Sequence, residues 1–129
     1  MKKLLNLLFF FFITTLTLLF PQHAHAAPPE NFQQQQIIAT GLNQPSGFEI
    51  APDGRIFILQ REGQIRVYKN GELLETPFAD LPSVASGDRG LIGIALDPLF
   101  NIDNHYIYFY YTGLDLRNRL VRFDASTDV

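Results

Sequence analysis

The fold is decided by residues 87–100, which read Gly-Asp-Arg-Gly-Leu-Ile-Gly-Ile-Ala-Leu-Asp-Pro-Leu-Phe. A polar turn flanked by glycines leads directly into the apolar run Leu91–Leu96. A run this short, bounded by Gly and Pro, predicts a strand buried on both faces, the innermost strand of a repeated β unit. The two glycines would let the backbone enter that strand at positive φ with little steric cost. Asp88 and Arg89 are therefore expected at the mouth of the strand, where side chains can converge on a ligand.

The N-terminus has the parts of a helical secretory signal peptide. Two lysines precede Leu4–Phe20, which is apolar apart from one Asn and three Thr residues, and Ala24-His25-Ala26 supplies a site of small residues for cleavage. The apolar run has a length near the lower limit of a membrane span, so a retained anchor is the alternative. The sequence predicts a signal peptide at residues 1–26, a polar linker at 27–36 and an exported, periplasmic or extracellular domain at 37–129.

Composition excludes several classes of function. The signal segment contains two of the ten basic residues and none of the thirteen acidic ones, so the exported chain would have a net charge of about −5. Nucleic-acid binding, which needs a basic footprint, is not expected of such a chain. The chain has no Cys, which excludes disulfides, thiol chemistry and Cys-based metal sites.

Short apolar segments separated by turn residues fill the rest of the chain. Residues 52–54 (Pro-Asp-Gly), 61–63 (Arg-Glu-Gly) and 70–71 (Asn-Gly) are turn signals, and the last is typical of a hairpin. We predict strands at 48–51, 55–60, 64–69, 91–96, 106–112 and 119–123, a weak edge strand within 72–81 that Pro77 interrupts, and a first strand candidate at 37–40.

The predicted strands form a repeat. Residues 91–96, 106–111 and 119–123 correspond in order to 48–51, 56–59 and 64–68. A unit of four short strands repeated after about 45 residues is the signature of a β-propeller blade. We therefore expect an all-β chain of about two blades and, because propellers have about 4–8 blades, an N-terminal fragment of a longer protein.

A family resemblance rests on several segments in this order and spacing. They are Gly41-Leu42-x-x-Pro45-x-Gly47, Pro52-Asp53-Gly54-Arg55-Ile56-Phe57, Arg61-x-Gly63-x-Ile65-Arg66-Val67, Gly87 to Ala95, and Tyr106 to Thr112. With them, residues 37–123 resemble the glucose/sorbosone dehydrogenase family of soluble, periplasmic quinoprotein sugar dehydrogenases. Family members often have His-Pro-Asp where this chain has Asp97-Pro98-Leu99, a departure that weakens assignment to any one subfamily.

The resemblance implies a six-bladed propeller that binds pyrroloquinoline quinone (PQQ) and calcium and oxidises the anomeric hydroxyl of a sugar to a lactone. The family's catalytic histidine, its quinone-binding arginines and lysine, and its calcium ligands correspond to positions beyond residue 129. This chain is therefore expected to carry no catalytic, cofactor-binding or metal residue and to be inactive as a fragment. One family active-site position falls within it, at Asp88, whose two carboxylate oxygens could accept hydrogen bonds from two sugar hydroxyls.

Simpler roles remain open for the same residues. Asp88 could cap its own turn or pair with Arg89. His105 lacks further ligands at motif spacing, so loop polarity explains it better than a metal site. The aromatic run Tyr106–Tyr111 has strand spacing, which favours packing between blades over sugar stacking.

Two classes of function follow from the sequence. The first is the front part of a PQQ-dependent sugar dehydrogenase, with a sugar as substrate. The second is a non-catalytic exported propeller that binds a carbohydrate or protein partner, since one fold serves many functions. An Asp-His pair and an arginine-rich quinone pocket beyond residue 129 would favour the enzyme.

Overall fold

The structure, a computed structural model, describes residues 28–128. The predicted signal peptide at 1–26 lies outside the described residues. The chain divides into two units, residues 1–35 and 36–129. Of the first unit, residues 28–35 contain one turn, at residues 30–31, in which the Phe32 amide donates to the Pro29 carbonyl at 3.0 Å.

The second unit is all β, and no helix occurs in residues 28–128. The predicted fold class is confirmed to this extent. Eight strands follow in sequence: β1 (Pro45–Ile50), β2 (Ile56–Gln60), β3 (Gln64–Lys69), β4 (Glu72–Leu73), β5 (Ala79–Asp80), β6 (Leu91–Leu96), β7 (Tyr106–Thr112) and β8 (Asn118–Asp124).

The strands form two antiparallel sheets, each a meander. In sheet 1 the order is β1-β2-β3-β4, and β5 also pairs with β3; in sheet 2 it is β6-β7-β8. Asn70 and Gly71 both have positive φ, 54° and 89°, which is the backbone that a tight β3–β4 hairpin requires. The predicted weak strand within 72–81 appears as two pieces of two residues each, β4 and β5, on either side of Pro77.

The core lies in one cluster to which both sheets contribute. Alternate residues of β2 and β3 enter it from sheet 1, and alternate residues of β7 enter it from sheet 2, as the two-residue period of a strand requires. Phe78 joins the sheets, since its ring lies 5.4 Å from Phe57 and 6.3 Å from Phe109. The largest fully buried side chains are Phe57, Phe109, Leu59, Ile65, Leu91, Ile107 and Val67.

The aromatic strand β7 divides its side chains between two faces. Ile107, Phe109 and Tyr111 lie in the core with 5% exposure or less. On the other face, Tyr106 stacks on the Arg122 guanidinium at 4.1 Å, and Tyr110 is 39% exposed. The core-facing half of this run packs between sheets, as predicted.

One strand candidate does not form, and one prediction about burial is wrong. Residues 37–40, the candidate, form no strand in the structure. Leu91–Leu96 is not buried on both faces: Leu91 is fully buried, but Ile92 is 45% exposed. The reason is that sheet 2 packs against sheet 1 through one face only, so side chains of β6 on the other face are not covered.

Candidate functional site

The candidate site is the turn Gly87–Gly90, which precedes β6. Gly87 and Gly90 have φ values of 60° and 141°, so both positions need the left-handed freedom that the sequence predicted. Gly90 is buried, and a Cβ atom there would lie 2.9 Å from the Arg61 carbonyl oxygen. A glycine is required at that position because the chain passes so close to its neighbour.

The turn is attached to both sheets. The Leu91 amide donates to the Arg61 carbonyl at 3.0 Å, and the Ser46 hydroxyl donates to the Leu91 carbonyl at 2.6 Å. The Thr112 amide donates to the Gly90 carbonyl at 3.1 Å. These bonds place the turn beside the first residues of β1 and the end of β7.

Asp88 lies at the tip of the turn and is exposed. Within residues 28–128 its carboxylate takes part in no ion pair and accepts no hydrogen bond, and Arg89 makes no ion pair with it. The turn is closed instead by the Arg89 amide, which donates to the Ser86 carbonyl at 3.1 Å. The two simpler roles for Asp88, turn cap and partner of Arg89, therefore do not occur in the structure.

Arg61 contacts the same turn from sheet 1, and sequence reasoning missed it. Its guanidinium Nη2 donates to the Gly87 carbonyl and, at 2.9 Å, to the Arg89 carbonyl. Those two carbonyls belong to the residues on either side of Asp88. The sequence showed only an Arg-x-Gly turn at residues 61–63, which gives no signal that the side chain reaches a loop 26 residues further along the chain.

A further ion pair joins the turn between β7 and β8 to the start of β8. Arg119 donates to both carboxylate oxygens of Asp115, at 2.7 and 2.8 Å. These charge-assisted bonds lower the pKa of Asp115 and raise the pKa of Arg119. The ion pair holds the Arg119 guanidinium next to Gly113, where a Cβ atom on residue 113 would collide with it.

A second polar cluster lies at the other end of β2. The Arg55 side chain is 5% exposed and makes ion pairs with Asp53 at 2.7 Å and Asp128 at 3.3 Å. It also donates to the Ala125 carbonyl at 2.6 Å, and its guanidinium lies 5.0 Å from the Phe57 ring. Partial burial would raise the pKa of Asp53, but the hydrogen bonds and charge of Arg55 outweigh that effect and hold it below its usual value. This cluster joins sheet 1 to the segment after β8 and is structural.

Asp97 caps the loop that follows β6. It accepts hydrogen bonds from the Leu99 amide at 3.0 Å, the Asn104 amide group at 3.1 Å and the Tyr108 hydroxyl at 2.9 Å, which lower its pKa. His105 packs edge-on against Phe100 at 5.5 Å. No group of three or more His, Cys, Asp or Glu side chains suited to a metal ion lies within residues 28–128.

No helix within the described part of the chain is long and apolar enough to cross a membrane.

Two solved structures are similar to the chain. One is a protein assigned as an oxidoreductase (glucose dehydrogenase) from Thermus thermophilus, with a TM-score of 0.65, 33% identity, and coverage of 73% of this chain and 28% of that one. The other is the PQQ-bound form of an aldose sugar dehydrogenase from Streptomyces coelicolor, with a TM-score of 0.57, 36% identity, and coverage of 71% and 28%. The proteins to which the structure is similar are β-propeller enzymes.

The sequence also matches an uncharacterized protein of Synechocystis sp. strain PCC 6803, at 34% identity over 64% of this chain and 22% of that protein. The chain thus spans about a quarter of the length of the relatives that it matches. The model of the glucose / sorbosone dehydrogenase family matches residues 42–128, which is more than half of the chain. The chain belongs to the glucose / sorbosone dehydrogenase family.

Proposed function

We propose that the described strands are the first two blades of a six-bladed, PQQ-dependent sugar dehydrogenase, which oxidises the anomeric hydroxyl of an aldose to a lactone. The observation that carries the proposal is the exposed, unpaired carboxylate of Asp88 on a turn whose end, at Gly90 and Leu91, is hydrogen-bonded to both sheets. The PQQ-bound aldose sugar dehydrogenase of Streptomyces coelicolor, 36% identical, supports the class of reaction.

Asp88 has a binding role in this proposal. A carboxylate accepts hydrogen bonds through both oxygens, so one side chain can engage two neighbouring hydroxyls of a sugar ring. Bonds to a charged acceptor are stronger than neutral ones, and a carboxylate with no protein partner has both oxygens available. Removal of the proton from the anomeric hydroxyl is assigned to residues outside this chain.

In this proposal PQQ binds outside the described residues. PQQ, which supplies a quinone that accepts hydride, carries three carboxylates and needs several cations around it. Within residues 28–128, Arg119 is paired with Asp115 and Arg61 is bound to two carbonyls, whereas Arg89 takes part in no ion pair. Cofactor and calcium binding are therefore assigned to later blades.

Export is the second part of the proposal. The lysines, apolar run and Ala24-His25-Ala26 site of the N-terminus direct the chain through a secretory pathway to the periplasm or the extracellular space, and the mature protein begins at Ala27. N-terminal sequencing of the protein from the periplasmic fraction checks this expectation. Recovery of Met1 on a membrane-bound form would contradict it.

The catalytic proposal is tested with protein expressed from the whole natural reading frame that contains residues 1–129. Loaded with PQQ and Ca²⁺, it should reduce a dye acceptor when an aldose is added. Asp88→Ala should raise KM for the aldose by about 10-fold or more, because a hydrogen bond to a charged group contributes about 1.5–3 kcal/mol. The kcat should change little, because Asp88 does not move the proton.

Two controls accompany this assay. Asp103→Ala removes an exposed carboxylate from the loop after β6, at the other end of that strand, and should leave KM unchanged. Residues 27–129 alone should not oxidise an aldose even with PQQ and Ca²⁺. If the whole protein does not oxidise any aldose when PQQ is bound, the non-catalytic binding propeller is the correct alternative. An unchanged KM in Asp88→Ala would remove Asp88 from the sugar site.

A further inference from the structure

The Gly87–Gly90 turn has few constraints of its own. Gly87, Asp88 and Arg89 are all exposed, and two of its four residues are glycines at positive φ. Within the turn, the backbone makes one hydrogen bond, from the Arg89 amide to the Ser86 carbonyl. Such a segment would sample many backbone conformations, because glycine restricts φ and ψ less than any other residue.

Arg61 supplies the missing constraint from outside the turn. Its Nη2 group donates to the carbonyls of Gly87 and Arg89. The peptide group that joins Gly87 to Asp88 and the one that joins Arg89 to Gly90 are thus bound to one planar group, whose N–H directions are fixed relative to each other. With both of these peptide groups held, the short segment between them, which contains Asp88, has fewer accessible conformations, and the direction of the Asp88 Cα–Cβ bond is restricted.

The anchor of Arg61 is itself rigid. Its backbone amide donates to the Gln44 carbonyl at 3.1 Å, next to the start of β1. Its carbonyl accepts from the Leu91 amide at 3.0 Å and from the Ser83 hydroxyl at 3.3 Å. Bonds on both sides of the residue therefore fix its backbone. The two hydrogen bonds from its guanidinium to the turn, here named the Arg61 clamp, have to restrict only the freedom of the side chain.

The charge of Arg61 is not used by a carboxylate. Among residues 28–128, Arg61 takes part in no ion pair, and neither does Asp88. An arginine that neutralised Asp88 would occupy the oxygens that a ligand needs. By binding carbonyls instead, Arg61 fixes the backbone and leaves the carboxylate free.

We infer that Arg61 is a positioning residue for sugar binding: it holds the Gly87–Gly90 turn so that the Asp88 carboxylate points at the aldose. This inference rests on the proposed function, because it assumes that Asp88 contacts the sugar. Arg61 touches neither substrate nor cofactor in this role. Loss of the clamp should weaken sugar binding without slowing the reaction of bound sugar.

The test uses the whole protein from the natural reading frame, loaded with PQQ and Ca²⁺. Arg61→Met keeps the apolar stem and removes the donors; it should raise KM for the aldose several-fold with kcat within about twofold. Arg61→Lys, which keeps a charge but not the planar fork, should recover part of the loss. In the double variant Arg61→Met with Asp88→Ala, KM should equal that of Asp88→Ala alone, since the clamp has nothing left to position.

Arg66→Met is the matched control. Arg66 also donates to two backbone carbonyls, those of Gly41 at 3.1 Å and Leu74 at 2.7 Å, and it lies in β3, which follows the turn that contains Arg61. Its removal should leave KM unchanged. Hydrogen exchange provides a readout that is independent of activity: exchange at residues 87–91 should accelerate about 10-fold or more in Arg61→Met and not in Arg66→Met.

The outcomes separate this inference from the proposed function. Normal KM and unchanged exchange in Arg61→Met would overturn the inference. Additive effects of Arg61→Met and Asp88→Ala would also overturn it, because they would mean that Arg61 acts on the sugar independently. Faster exchange in Arg61→Met with a normal KM in Asp88→Ala would overturn the sugar site and leave the clamp in place. If Arg61→Met does not fold, the same comparisons are made with Arg61→Lys.

Discussion

Arg55 carries a charge in an environment that is almost completely closed to water, with a side-chain exposure of 5%. The guanidinium has several partners there. Asp53 and Asp128 are its carboxylates, two backbone carbonyls accept from it, and the Phe57 ring lies under its plane. One residue therefore joins the β1–β2 turn to the chain beyond β8.

Replacement of Arg55 by Met should destabilise the domain by about 3 kcal/mol, because removal of one partner leaves buried carbonyls and a partly buried carboxylate without their donors. Arg117→Met is the control, since Arg117 is 84% exposed and 4.0 Å from Asp115, and should cost less than about 0.5 kcal/mol. Urea denaturation of the whole protein measures both. Equal effects of the two substitutions would contradict a structural role for the Arg55 cluster.

Single residues differ in how far the sequence predicts their roles. Gly87 and Gly90 could be assigned to positive φ because the local pattern of a polar turn before a strand requires it. The contacts of Arg55 with Ala125 and of Arg61 with Gly87 could not, since they join residues 70 and 26 positions apart and a local pattern contains no information about such contacts. Asp88 was selected through the family resemblance, and its role stays a prediction.

At the scale of elements, the glycine turn and β6 form a single unit whose geometry depends on backbone approach. Gly90 has a φ of 141° and a Cβ atom there would lie 2.9 Å from a carbonyl oxygen, whereas a Cβ atom on Gly87, at φ 60°, would meet nothing within 4 Å. Both positions have positive φ, but only one of them is also crowded.

Gly90→Ala should therefore be clearly more destabilising than Gly87→Ala. We expect about 2–3 kcal/mol for the first, from backbone strain together with the displaced β2–β3 turn, and about 1 kcal/mol for the second, from the left-handed backbone alone. Chemical denaturation of the two variants in parallel gives the difference. A larger loss in Gly87→Ala would show that crowding at Arg61 does not define this turn.

The bounds of a strand could be predicted where the flanking turn residues and the alternation of side chains along the strand indicated the same limits. The bounds of β3, β6 and β7 match the prediction, because each strand lies between clear turn residues. The sequence failed at β1, which begins at Pro45 and not at residue 48. A bulge between Pro45 and Gly47 lets these residues pair with β2 despite their turn-forming composition.

At the scale of residues 36–129, the two sheets bury one shared face and leave their outer faces open. Phe48 and Ile50 of β1 are 65% and 58% exposed on the outer face of sheet 1, and Leu120 of β8 is 69% exposed on that of sheet 2. A soluble domain rarely leaves large apolar side chains open on neighbouring strands. In the proposed propeller, each outer face would pack against another blade, which accords with a chain that spans about a quarter of its relatives.

Residues 27–129 alone should therefore associate or unfold in part, because repeat architectures generally need three or more repeats to bury their faces. Sedimentation should show species that grow with concentration, and thermal melts should show a broad transition.

Phe48→Lys together with Ile50→Lys should reduce association, since the two charges would have to lose their hydration for the outer face of sheet 1 to be buried. Leu114→Lys, at a residue 70% exposed in the β7–β8 turn, should not have this effect. Protein from the whole reading frame should melt cooperatively without any of these changes. A monomeric 27–129 protein with a sharp, reversible melt would show that two blades suffice, and the proposal that further blades cover these faces would fail.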